Sequence, residues 1–167
     1  MTPDRIFDWL YATPLATLLR ENELLFPWVE GLHVLAITLV FGSISIVDLR
    51  LIGFASRERS VDQLGGSVLP VTWIAFTVAV ISGSLLFASN APGYAHNLYF
   101  RCKLVLIAVA GINMVIFQLV LNPNANRNAA ADVIPLSDRI VGALSIGLWM
   151  AVIACGRWIG FTMIGGS

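Results

Sequence analysis

The chain has 167 residues, of which 57% are hydrophobic and only 12% charged, about half the charged share of an ordinary soluble domain. Ten Lys and Arg balance ten Asp and Glu, so there is no electrostatic footprint for nucleic acid and no polybasic tail for anionic lipid. A mean hydropathy of +0.82 excludes a soluble fold and makes the lipid bilayer the first expected partner.

Taken in chain order, residues 1–26 form a lead-in and residues 27–167 a membrane domain. In the lead-in, Ile6, Phe7, Leu10, Leu15, Leu18 and Leu19 recur near helical spacing with charge elsewhere, which predicts a short amphipathic interfacial helix that Pro14 would split. Asp4 and Asp8 beside Arg5 do not make the basic start of a cleavable signal peptide, so the first span is expected to direct insertion.

About 20 apolar residues cross the hydrocarbon layer as a helix, and four segments qualify: 27–54, 66–89, 95–121 and 139–164. Turn signals bound them. Pro27 opens the first, Gly65-Gly66 precedes the second, Asn90-Ala91-Pro92-Gly93 separates the second from the third, and Asn122-Pro123-Asn124 closes the third. The fold class expected is all-α, an antiparallel four-helix membrane bundle with an N-terminal interfacial helix. Five arginines, Arg50, Arg57, Arg59, Arg127 and Arg139, fall on the side of the first and third loops, against Arg5 and Arg20 on the other. The positive-inside rule then places both termini outside the cytoplasm, in the periplasm if the membrane is a bacterial inner membrane. Small residues at every fourth position, Ala75-Ala79-Gly83 and Ala143-Gly147-Ala151-Cys155, with Gly156 and Gly160 alongside, are expected packing faces within the chain or between copies in a homo-oligomer.

Ionisable side chains inside a span need a partner or a purpose, because each costs at least ~2.5–3.5 kcal/mol at a helix centre. The outer half of the bundle collects Glu30, His33, His96, Arg101, Lys103 and Arg157 from three helices. Neutral imidazole in a helical membrane bundle is the usual axial ligand of b-type haem, whose propionates need cations near the surface. The expected roles are His33 as axial ligand and His96 as a second one, if the third span starts early enough to bring it inward. Arg101, Lys103 and Arg157 would be propionate partners, and Glu30 would orient His33 through a hydrogen bond. Copper is the alternative, with His33 and His96 as metal ligands beside Cys102 and Cys155, although no methionine cluster accompanies them. A small transporter or scaffold built on Glu30, His33 and Lys103 is a third class. The Asp48-Leu49-Arg50 stretch is read as a structural clamp at the cytoplasmic interface. The absence of G-x-S-x-G, H-E-x-x-H and G-x-x-x-x-G-K-[ST] motifs argues against hydrolase or ATPase chemistry and leaves open an oxidoreductase with a quinone or another redox partner.

The run Pro27-Trp28-Val29-Glu30-Gly31-Leu32-His33, then Gly42 and Asp48-Leu49-Arg50-Leu51-Ile52-Gly53, with Pro70, Ser82-Gly83 and the stretch from Phe100 to Asn113 around Lys103, resembles an uncharacterised family of bacterial four-helix inner-membrane proteins. More distantly the layout is similar to copper-resistance D-like proteins and to the membrane protoporphyrinogen oxidase family. There, an early-helix histidine and a later-helix lysine accompany haem b, which implies roles for His33 and Lys103. The chain departs from the oxidase pattern by having no second deep histidine in its third or fourth span.

Overall fold

A computed structural model describes residues 3–54, 61–116 and 135–164. The described residues form seven helices and no strand: α1 Pro3–Tyr11, α2 Pro14–Glu21, α3 Leu25–Ile52, α4 Val61–Ser89, α5 Ala91–His96, α6 Leu98–Ile116 and α7 Leu136–Ile164. Four of them, α3, α4, α6 and α7, are long and apolar enough to cross a membrane. Protein buries only 11–22% of the residues in their most apolar windows. Trp28, Leu35, Ile74, Val105 and Leu144 point outward from all four, so the bundle presents hydrocarbon to its surroundings on every side, as lipid requires.

The helix boundaries follow from local chemistry. Thr13 caps α2 by accepting the Ala16 N–H, with Pro14 in the first turn, where its missing N–H costs nothing. The expected break at Pro14 is therefore present, dividing α1 from α2. The Asn22 side chain accepts from the Leu24 and Leu25 N–H groups and opens α3. Gly53, at φ 89°, closes α3. Its N–H donates to the Arg50 carbonyl and the Phe54 N–H to that of Leu49, the paired bonds of a Schellman ending. Arg139 of α7 donates from Nε to the Ile52 carbonyl at 3.1 Å, satisfying one more carbonyl of that helix end. The stretch from Asp48 to Arg50 is thus the last full turn of α3, and the reversal itself falls on Gly53.

Two expected boundaries move. The second span was expected to begin at Gly66, but α4 begins at Val61 and takes Gly65 and Gly66 into the helix. The third was expected to begin at Ala95, but Asn97 interrupts it. The Asn97 Oδ1 accepts from the Tyr99 and Phe100 N–H groups, and its own N–H donates to the Tyr94 carbonyl. One residue therefore ends α5 and starts α6. Arg57, Arg59 and Arg127, which carried the expected orientation, and the Asn122-Pro123-Asn124 ending lie outside the described residues.

Around the bundle the order is α4, α3, α7, α6: α3 packs on α4 and α7, and α6 packs on α7. Helices α4 and α6 are not packed along their length. They meet at one end, where Phe87 stacks on Phe100 at 5.2 Å between ring centroids. Tyr94 of α5 and Phe7 of α1 complete this aromatic roof. At the same end α1 packs on α5, α2 packs on α4 and α3, and the Asn97 side chain donates to Thr162 Oγ1 of α7 at 2.8 Å.

Small residues act as expected in α4, where Ala75 is buried and Gly83 receives a side chain from α3. In α7 the expected face is divided, with Ala151, Cys155 and Gly156 partly covered. Ala143, Gly147 and Gly160 are exposed, and the close crossing with α3 falls on Gly142, where a Cβ would lie 2.9 Å from the Asp48 carbonyl oxygen. One residue turns a helix by about 100°, so Ala143 and Gly147 face away from that crossing, toward lipid or a second copy.

Candidate functional site

The site is built from one side chain of each spanning helix below the aromatic roof. His33 of α3 lies over Gly83 of α4 so closely that a Cβ on that glycine would stand 2.8 Å from its Cε1. A side chain there would push the ring out of this position. Gly83 sits one helical turn below Phe87, and Lys103 one turn below Phe100, so both positions share the α4 and α6 faces that carry the roof. Lys103 packs against α7, where a Cβ on Gly156 would lie 3.7 Å from its Nζ, and its charge feels Cys155 of the same helix. The Lys103 charge in turn acts on His33. All five residues are partly covered, none sealed. The residues therefore lie along the slot where α4 and α6 are not packed on each other, below the aromatic roof.

The tautomer of His33 can be assigned from its partner. His33 Nδ1 lies 3.0 Å from Ser82 Oγ, and the single Ser82 hydroxyl proton is committed to the Val78 carbonyl at 2.6 Å, with Ala79 at 3.3 Å. Ser82 must then accept, so the ring proton sits on Nδ1 and the lone pair on Nε2. Ser82 is buried, so this bond is sheltered from water. An imidazole fixed through one nitrogen and left basic at the other has the arrangement of a metal-ligating histidine.

The other expected members of the layer are placed elsewhere. Glu30 is exposed and acts on Tyr94, whose phenol is pushed above the ordinary tyrosine range first by burial and then by that carboxylate. The Nδ1 partner of His33 is Ser82, not Glu30. His96 is the last residue of α5, its side chain largely exposed, with Nε2 3.5 Å from Asp4 of α1. The break at Asn97 keeps it out of α6 and away from the slot. Arg101 is exposed, and Arg157 is exposed and spans 5.0 Å to the Phe161 ring centroid. Cys102 is exposed, and Cys155 half-covered. Of the six expected residues, the structure brings His33 and Lys103 together. Among the described residues no three His, Cys, Asp or Glu side chains converge.

Sequence reasoning named Ser82 only within the family resemblance and Gly156 only as a packing residue, and it missed the cavity at the roofed end. That cavity, of about 380 Å³, is lined by Tyr11, Arg20, Phe26, Ser89, Tyr94 and Met163, with Asn90 at its edge. Arg20 organises it, lying 3.9 Å from the Tyr11 ring centroid and donating to the Tyr11 and Ser89 carbonyls at 3.3 and 3.4 Å. Phe26 is seven residues before His33 and on the same face of α3, which sets the cavity about 10 Å above the imidazole.

Residues 16–162 match the profile of DUF6644, a family of unknown function. No curated protein matches the chain, and no solved structure does.

Proposed function

The chain belongs to the DUF6644 family, and we propose that it is a membrane b-type haem protein serving electron transfer or haem-linked redox chemistry, with His33 as axial ligand. The observation that carries this reading is the His33 ring, held through Nδ1 by buried Ser82, whose own proton is engaged with Val78, so that Nε2 is the unprotonated ring nitrogen. The fit to a planar anionic group rests on the slot itself. Here α4 and α6 stand apart below the Phe87–Phe100 stack, and Lys103 is the cation that shares the interior with the imidazole. When bound, the group would supply a one-electron couple tuned by its axial ligand.

The chain's own residues divide the remaining work. Ser82 fixes the orientation and basicity of His33. Gly83 gives the ring its place, and Lys103 is the proposed partner for a propionate. Arg101 and Arg157, nearer the surface, are at most peripheral to it. The cavity beside Arg20 and Tyr94 is the proposed approach for a quinone or another small redox partner. The distant similarity to copper-resistance D-like and protoporphyrinogen oxidase-like proteins rests on His33 and Lys103 and belongs to the same proposal. Copper has no converging ligand set among the described residues.

Titration of the detergent-purified chain with ferric haem tests the assignment. His33→Ala abolishes the saturable Soret change, Ser82→Ala weakens binding by roughly 10–100-fold as loss of a ligand's hydrogen-bonding partner does, and His96→Ala leaves it intact. Equal binding by wild type and His33→Ala would overturn the reading. We further propose a bacterial inner membrane with both termini periplasmic and α1 and α2 lying in the interface. An impermeant thiol reagent should then label Asn22→Cys in intact spheroplasts, and protection of that position would reverse the orientation.

A further inference from the structure

The half of the bundle opposite the slot holds a second polar group that the haem reading does not use. Asp48, four residues before the end of α3, is 6% exposed. The hydroxyl of Ser145 on α7, itself buried, is the side-chain donor nearest its carboxyl. The other oxygen, Oδ2, is fully buried and has no hydrogen-bond partner among the described residues.

Among the described residues, the surroundings do not compensate an anion. On α7, Arg139 directs Nε to the Ile52 carbonyl and is exposed, while Asp138 is buried and accepts from Ser137. Arg50, two residues on along α3, has interactions of its own. Among the described side chains, α4 and α6 bring no charged group to this half. Their buried polar members are neutral: Thr72, which donates to Ser43 at 2.8 Å, and Asn113, which donates to the Val141 carbonyl at 3.4 Å. A buried carboxylate with one donor and no cation costs several kcal/mol. A carboxylic acid in the same place shares its proton with the Ser145 hydroxyl and leaves Oδ2 a neutral carbonyl oxygen, whose unmet acceptor is far cheaper. A metal cation would require more oxygens than Asp48 and Ser145 present.

We propose that Asp48 is a proton-binding site of the bundle. Its carboxylate takes up one proton to become the acid, and releases it toward the nearby end of α3, about 6 Å away along the helix axis. It stands about 22 Å along α3 from His33, so it is a site separate from the slot and does not depend on the haem reading.

Dicyclohexylcarbodiimide tests this on the full chain in detergent. The acid O–H adds across a C=N bond of the reagent, and the adduct rearranges to a stable N-acylurea, a reaction that an ionised carboxylate does not enter. The expected result is one adduct, mapped to Asp48, that declines as pH is raised, is lost in Asp48→Asn and persists in Asp138→Asn. Absence of an adduct on Asp48, labelling that is independent of pH, or protection by sodium ions each overturns the proposal, the last in favour of a bound cation. If Asp48→Asn fails to accumulate, the wild type decides by infrared spectroscopy. A carboxylic acid C=O band that shifts in D2O supports the site when isotope-labelling assigns it to aspartate and when Asp138→Asn retains it; no such band refutes it.

Discussion

At the scale of single residues, the account turns on what a side chain finds when it leaves its helix. His33 finds a glycine and a serine with a spare acceptor lone pair, and Lys103 finds a glycine. His96, equally polar, finds only Asp4 at the surface, in a pair that water and salt screen. Tyr94 adds a pH dependence. Burial, then Glu30, raises its phenol above the ordinary value of 10.0. The folded chain therefore holds this proton more tightly than the unfolded one does, and stability is unaffected below that value and lost as pH climbs through the raised range. Thermal unfolding in detergent should show wild type losing more stability above pH 10 than Tyr94→Phe, and parallel curves would contradict the placement of Tyr94. The sequence was informative about His33 and Lys103 because ionisable groups inside apolar runs are costly. It gave Ser82 no role, because a serine in a membrane helix normally bonds back to its own carbonyls, and only the arrival of His33 from α3 shows that it does a second job.

At the scale of elements, the four spans were legible from apolar length alone, and the errors cluster at their ends and faces. Asn97 was read as part of a helix, although Asn is a favoured cap. The cost of that reading was His96, expected to turn inward as a second ligand and instead left outside α6. The α3–α7 crossing falls at Gly142, one position from the α7 stripe read in the sequence, because Gly142, Gly147, Gly156 and Gly160 offer several small-residue stripes, and composition does not select among them. The structure does. Gly142→Leu should destabilise the chain severely, since its Cβ meets α3 backbone at 2.9 Å and overpacking typically costs about 1–3 kcal/mol or more. Gly147, with nothing within 4 Å, should accept leucine within about 0.5 kcal/mol. Thermal melts of the two variants compare them directly, and equal losses would refute the α3–α7 crossing. If Gly147→Leu instead changes only the assembled mass, its stripe is a contact between copies.

At the scale of the whole molecule, the arrangement separates two polar centres by a hydrophobic middle. The roofed end carries α1, α2 and α5, the aromatic cluster and the His33–Lys103 slot; the other end carries Asp48, Ser145 and the Arg139 tie to α3. Between them α3 buries Ala36 and Val40, and the Thr72–Ser43 pair links α3 to α4. The open flank between α4 and α6 follows from this order, and it is the side on which the proposal places its ligand. The absorption spectrum of the intact protein, purified from haem-replete cells and recorded before and after dithionite, bears on this most directly. A Soret maximum with sharpened α and β bands on reduction, present in wild type and absent from His33→Ala, is the predicted outcome; a wild-type protein that is colourless and takes up no added haem would contradict it.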